Sequence, residues 1–155
     1  MGYRRYPLGG STERREGDVV GTQPRYFLTK TWGWSPETHP TLGFSTEGGR
    51  TKYLREASHG DWIVIAGTKG PETAAALRGR LLGMCRVGRE KVDAAAIMAT
   101  LGTELRDDEK DENGRYRWPW AMPIVEAVRF DPQPDTEHVL GSYLPGLDWA
   151  NYAIE

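Results

Sequence analysis

Gly60-Asp61-Trp62-Ile63-Val64-Ile65-Ala66-Gly67 is the stretch on which the fold turns. Its five consecutive apolar residues have the length of a strand and no polar alternation, which predicts a strand buried on both faces. Downstream, Gly67-Thr68-Lys69-Gly70-Pro71 reads as a turn and Ala74–Leu77 as a brief helical turn. Arg80–Val87 follows as a second strand with Gly83 inside it. Upstream, Pro24 introduces a short strand at Tyr26–Thr29, a loop runs from Thr31 to Pro40, and Leu42–Thr46 reads as extended. Gly48-Gly49 then breaks the chain ahead of a short helix over Thr51–Ala57. Ala94–Leu101 favours helix, with Asp93 as its N-cap and Gly102 as its stop. Trp120–Phe130 resumes strand character around Pro123, which predicts an edge or bent strand. Asp131-Pro132-Gln133-Pro134-Asp135 is a hard turn, and His138–Tyr143 reads as a short helix. The sum is an α+β domain whose strands form a curled mixed sheet or small β-barrel with short flanking helices.

A chain of 155 residues is one domain of ordinary size, large enough to bury a core without disulfide support. Residues 24–155 carry the predicted elements, while 1–23 read as an irregular N-terminal arm with no periodic apolar face. The arm is read first as loosely docked chain, and second as a basic arm on nucleic acid through Arg4, Arg5, Arg14 and Arg15. Six Trp, seven Tyr and three Phe supply large pieces to pack, and 19 Gly with 10 Pro point to many turns and short elements. No apolar run approaches the roughly 20 residues of a membrane span, and the first residues lack a signal peptide's apolar stretch. The expectation is a soluble cytoplasmic protein without a membrane partner.

The net charge of −2 conceals an uneven distribution. Residues 1–91 hold 15 Lys/Arg against 9 Asp/Glu, whereas residues 92–155 hold 5 against 13. This asymmetry favours a charged partner for one face, and the small overall charge argues against an indiscriminate DNA binder.

Signatures of catalysis are absent. No phosphate loop ends in Lys-Ser/Thr, and no strand runs into a dinucleotide-binding glycine turn. His39, His59 and His138 stand far apart, without metal-ligand spacing, and His59 beside Asp61 reads as a turn residue at a strand entrance. The single cysteine, Cys85, lies in the apolar run Leu81–Cys85 and reads as a buried small hydrophobe. Residues 104–114 hold six acids and two bases without the alternate spacing of a calcium loop, so they read as a solvated loop. The expectation is a binding domain with no catalytic residues, cofactor or metal.

The distinctive feature is aromatic. Trp32 and Trp34 stand two apart in a Gly/Pro-rich loop after Lys30, and Trp118-Pro119-Trp120 repeats the spacing beside Arg115 and Arg117. Indoles in loops near cations suit a reader of extruded bases, because the base stacks on the ring while cations hold the phosphates. Trp32 or Trp34 as one wall and Trp118 or Trp120 as the other would enclose such a base. The competing reading makes these tryptophans plugs at the ends of a small barrel.

Several segments resemble domains of the PUA-like superfamily. Pro24-Arg25-Tyr26-Phe27-Leu28-Thr29-Lys30-Thr31 resembles the first strand of YTH domains. Gly43-Phe44-Ser45-Thr46 resembles their Trp-Ser-Thr segment, with Phe44 standing where that tryptophan forms a wall of the methyl-base cage. Gly60–Ile65 resembles the Gly-Asp-x-Val segment of EVE domains, and Arg80–Val87 the next strand of both groups. Arg117–Trp120 leading into Ile124–Val128 resembles their later strand. The resemblance spans roughly residues 24–131.

It implies a PUA-like curled sheet and a module that takes a methylated base into an aromatic pocket. EVE-like and YTH-like domains of this kind accompany bacterial restriction nucleases that recognise modified DNA. By residue, it implies Phe44, Ser45 and Thr46 on the pocket floor, Gly67 and Thr68 on the base edge, and Lys30 on a phosphate. Arg50, Lys52, Arg55, Lys69, Arg78 and Arg80 lie around these segments as further phosphate contacts. The resulting expectation is a DNA reader that flips a methylcytosine or methyladenine, working as the specificity domain of a restriction system with an attached nuclease. The alternatives are an RNA reader of the same fold, a small ASCH-like hydrolase using His59, Asp61 or Lys69, and a protein-interaction module using residues 92–155.

Overall fold

A computed structural model describes residues 23–141 in full, together with the backbone of Gly2–Tyr6 and Tyr152–Ile154. In chain order the elements are β1 (Gly2–Tyr6), β2 (Tyr26–Thr31), β3 (Thr41–Phe44), α1 (Glu47–Glu56), β4 (Trp62–Gly67) and β5 (Leu81–Val87). Then come β6 (Val92–Asp93), α2 (Ala94–Thr100), β7 (Trp120–Asp131), α3 (Thr136–Leu140) and β8 (Tyr152–Ile154). The described strands form one curled mixed sheet in the order β1-β7-β5-β4-β2-β8, with β3 and β6 also pairing to β7. Among the described strands only β2 and β4 run parallel, Tyr26 opposite Trp62 through Thr31 opposite Gly67. This is the α+β curled-sheet architecture expected from the sequence. No helix among the described residues is long and apolar enough to cross a membrane.

β4 lies between β2 and β5, and Ile63, Ile65 and Ala66 are buried as the unbroken apolar run requires. Phe27, Trp34, Leu42, Leu82, Cys85, Met122 and Ile124 join Ile63 and Ile65 in the main core. Trp34 is 9% exposed and fits there because Gly83 has no side chain. A Cβ at Gly83 would stand 2.1 Å from the indole and 2.3 Å from the Val128 carbonyl oxygen. The loop Thr31–Pro40 thus folds inward at Trp34, and Arg129 tethers it by donating to the Trp34 carbonyl and to Glu37.

Three sequence expectations need correction. The strand containing Pro123 is central rather than an edge. β7 pairs with β5 and β1 along its C-terminal part and with β6 and β3 along its N-terminal part. Pro123 is tolerated because its neighbours bridge the missing donor: Gly88 donates to the Pro123 carbonyl at 2.8 Å, and Ile124 donates to Pro40 at 2.8 Å. Gly48-Gly49 does not break the chain but lies in the first turn of α1, where the Thr46 hydroxyl caps the helix by accepting from the Gly49 amide at 3.1 Å. The acidic segment is not wholly solvated. Glu109 is buried, accepts from the Arg106 amide at 2.8 Å and faces His39 Nε2 at 3.3 Å. At the N-terminus, Gly2–Tyr6 runs antiparallel to Ala127–Asp131 even though the arm shows no apolar period. Arg14 and Arg15 lie outside the described residues, as do the side chains of Arg4 and Arg5.

Filling the space at Gly83 therefore forces either the indole or β7 to move. Gly83→Ala is expected to cost about 1–3 kcal/mol, read as a lower urea midpoint with an unchanged m-value.

Candidate functional site

A cavity of about 450 Å³ opens between β2, β3 and α1. Four aromatic rings line it: Phe27 from β2, Phe44 from β3, Tyr53 from α1 and Trp118 from the segment ahead of β7. Tyr53 joins two of the others, edge-on to Phe27 at 5.4 Å between ring centres and tilted against Phe44 at 6.2 Å. Burial pushes the Tyr53 phenol well above its ordinary pKa, so it remains a neutral hydrogen-bonding group. Trp118 is fixed from behind by two edge-on contacts, Trp32 at 4.8 Å and Tyr116 at 5.6 Å. Gly43 lets Trp118 reach the sheet, since a Cβ there would lie 2.2 Å from the Trp118 carbonyl oxygen.

The polar groups of the cavity fall at two ends. At the start of β2, Arg25 donates to the Glu56 carbonyl. At its far end, Trp32 packs on Trp118, which lies over Gly43 close to Ser45 and Thr46. α1 therefore runs against the direction of β2, with Glu56 at one end of the cavity and its capped N-terminus at the end that holds Lys30. Thr46, Gly49, Tyr53 and Glu56, spaced three or four apart, form the helical stripe that faces the cavity. Lys30 sits below its ordinary pKa, chiefly because it is partly buried and secondly because Lys69 is near. The N-terminal dipole of α1 adds positive potential at the same end.

α1 has few apolar side chains, and arginines hold it in place. Arg50 is 5% exposed and donates to the carbonyls of Val92 at 3.1 Å and Ala121 at 3.2 Å while covering the Trp120 ring at 5.3 Å. At the other end Arg89 donates to the carbonyls of Ala57, at 2.9 Å, and Leu54.

The structure brings Lys30, Phe44, Ser45, Thr46 and Trp118 of the sequence-read site to this one cavity. Trp32 is placed behind Trp118 rather than at the cavity. Trp34 is not a wall but core, because Gly83 admits it there. Trp120 is 37% exposed and packs under Arg50, away from the cavity lining. Gly67 and Thr68 do not line the cavity either: Gly67 is pressed against the Leu77 carbonyl, and Thr68 bonds to Thr31 and Thr73. Arg50 is not a phosphate contact, since its guanidinium is committed to backbone carbonyls. Arg78 clamps the turn after β4 through the Thr73 carbonyl at 2.8 Å and the Gly70 carbonyl at 3.1 Å. Lys69 pairs with Glu137, Arg55 lies 3.6 Å from Glu56, and Lys52 and Arg80 are exposed.

Sequence reading missed Phe27, Tyr53 and Glu56. Tyr53 and Glu56 lie within the helix expected over Thr51–Ala57, three apart on one face, but nothing local shows which face meets a cavity. Phe27 carried no signal, because an aromatic in a strand reads as core.

The chemistry the site offers is stacking, hydrogen bonding and charge. Cys85 is fully buried beneath the sheet, and burial alone pushes its thiol up to about 12. Asp61 is taken up by the amides of Arg25 and Ser58 and by the Arg25 guanidinium, which makes it an organiser of the turn before β4. Among the described residues no three His, Cys, Asp or Glu side chains gather to hold a metal.

No family model matches the chain, and no curated protein matches it. Among solved structures it is similar to a protein from Agrobacterium tumefaciens at 13% identity, covering 84% of this chain and 85% of that one with a TM-score of 0.46. It is similar to a hypothetical protein from Leishmania major at 16% identity, covering 86% and 88% with a TM-score of 0.44. A third is the YTH domain of the Zygosaccharomyces rouxii MRB1 protein in complex with N6-methyladenosine RNA, at 14% identity, covering 85% and 79% with a TM-score of 0.45. At such identities and TM-scores the likeness assigns neither family nor activity to this chain.

Two of the three cations of α1, Arg50 and Lys52, should behave differently. Arg50→Ala is expected to destabilise the fold by about 1.5–3 kcal/mol through lost charged hydrogen bonds. Lys52→Ala should remain within about 0.5 kcal/mol of the parent in urea unfolding.

Proposed function

We propose that this domain is a nucleic-acid reader that takes a single methylated base, flipped out of its strand, into the cavity between β2, β3 and α1. The observation that carries this reading is the convergence of Phe27, Phe44, Tyr53 and Trp118 on one space of about 450 Å³. That volume lies within the roughly 300–1,000 Å³ usual for small-ligand sites. Extracting a base costs a few kcal/mol, and stacking on aromatic faces returns about 1–3 kcal/mol per base. A methyl group filling the remaining apolar space adds about 1–3 kcal/mol, which makes the modified base the favoured occupant.

The charge arrangement supports a nucleotide rather than a purely apolar ligand. A phosphate beside Lys30 would offset both its desolvation and the repulsion from Lys69, and it would meet the N-terminus of α1. Lys52, Arg55, Lys69 and Arg80 remain the candidates for the wider, salt-sensitive contact with the strand, Arg78 being taken up by the turn after β4. We assign DNA as the polymer from the sequence resemblance to EVE domains. The role that follows is specificity domain of a modification-dependent restriction system, with hydrolysis supplied by an attached nuclease and none by this domain. Ser45 and Thr46 are the hydroxyl contacts of the bound nucleotide, and Trp32 acts by holding Trp118 in place.

The test is an anisotropy titration with matched DNA and RNA oligonucleotides carrying unmodified cytosine and adenine, 5-methylcytosine, 5-hydroxymethylcytosine or N6-methyladenine. The expected result is at least tenfold tighter binding, about 1.4 kcal/mol, to one methylated DNA. Trp118→Ala should abolish that preference, whereas Trp120→Ala should leave it intact. Preference for the same mark in RNA alone would overturn the assignment of DNA. Failure to bind any of them at low salt would overturn the reader itself and return attention to the hydrolase and protein-interaction readings.

A further inference from the structure

One acidic residue lines the cavity, and it bears on which bases the cavity admits. Glu56, the last residue of α1, is the acidic residue that lines it, on the same helical stripe as Tyr53. Among the described residues its carboxylate pairs with Arg55 at 3.6 Å, the two side chains being 73% and 38% exposed, so the pair is a weak surface one that leaves the carboxylate available. The Glu56 backbone is more firmly placed, because its carbonyl accepts from Arg25, whose guanidinium also covers Phe27 at 5.4 Å and meets Asp61 at 3.2 Å. A carboxylate accepts hydrogen bonds and does not donate them. A base stacked against Tyr53 and Phe27 brings its edge within reach of Glu56, one helical turn beyond Tyr53.

Resting on the reader assignment above, we infer that Glu56 is a specificity-determining residue that selects amino-bearing bases, cytosine and adenine derivatives, through their exocyclic N–H. A base with a carbonyl at that position sets oxygen against carboxylate, and the two repel instead of pairing. The methyl mark and the amino group are thus read at different places: the rings enclose the methyl, and Glu56 accepts from the amine. One methyl on the amine leaves a hydrogen to donate. Two methyls leave none.

The pair that isolates this effect is 5-methylcytosine against thymine, which share the same methyl and differ in the amine or carbonyl at position 4. The experiment measures binding of the full chain to a single-stranded oligonucleotide carrying one or the other at a single site, for the parent and for Glu56→Gln. An oligonucleotide with N6-methyladenine against N6,N6-dimethyladenine forms the second arm. The expected result is at least a tenfold preference for whichever amino base the parent binds over its partner without the donor. Glu56→Gln, whose amide can donate to a carbonyl, should reduce the 5-methylcytosine-to-thymine ratio at least threefold. A urea unfolding curve for the variant that superimposes on the parent's separates loss of selectivity from loss of fold. Methyl-dependent binding that is equal within each pair and unchanged by Glu56→Gln would overturn the role of Glu56 while leaving the reader standing. Absence of binding to every methylated oligonucleotide would overturn both.

Discussion

The seating of α1 on the sheet is the constraint on which the cavity depends. The sequence of that helix, Glu47 to Glu56, offers Tyr53 and Leu54 as its only large apolar side chains, too little to hold it by burial alone. Hydrogen bonds from three arginines do the rest. Arg50 reaches across to the carbonyls of β6 and β7, while Arg25 and Arg89 satisfy carbonyls at the C-terminal end, where cations also complement the helix dipole. Because α1 is held at its ends and along its sheet-facing side, the stripe carrying Tyr53 can face open space rather than fill it.

The second element of the design is close approach at glycine. Gly43 brings the backbone of Trp118 against β3, and Gly83 admits Trp34 beneath the sheet. Two tryptophans that look alike in sequence are thereby sent to opposite fates, one to the cavity and one to the core. The third, Trp32, steadies the first edge-on, and the fourth, Trp120, serves as a platform for Arg50. A single spacing in the sequence thus yields a ligand wall, a buttress, a core plug and a helix anchor.

The architecture was legible because its strongest signals are local. The run Trp62–Ala66 and the Asp93 cap of α2, which accepts from the Ala95 amide at 2.9 Å, were readable from residue type and spacing. Proline argues for an edge or bent strand at β7, and nothing local reveals that Gly88 and Pro40 pair with it on either side. The site was partly legible for the same reason. Phe44, Ser45, Thr46, Lys30 and Trp118 lie in short segments with recognisable composition. Tyr53 and Glu56 lie in a helix that the sequence does foreshadow, but its first turn runs through two glycines, which the Thr46 cap permits and propensity opposes. Arg50 shows the limit most clearly, since a charge on a surface-type helix gives no hint that two distant carbonyls will bury it.

The central claim is that a base enters the space bounded by Phe27, Phe44, Tyr53 and Trp118. The most direct measurement is the side-chain NMR spectrum of these four rings during titration with an oligonucleotide carrying one methylated base. Stacking predicts saturable upfield movement of their ring protons, with the indole signals of the core residue Trp34 and of Trp62 unmoved. Saturable binding that shifts only signals outside the cavity, such as those of the acidic segment 104–114, while the four rings stay fixed, would contradict it.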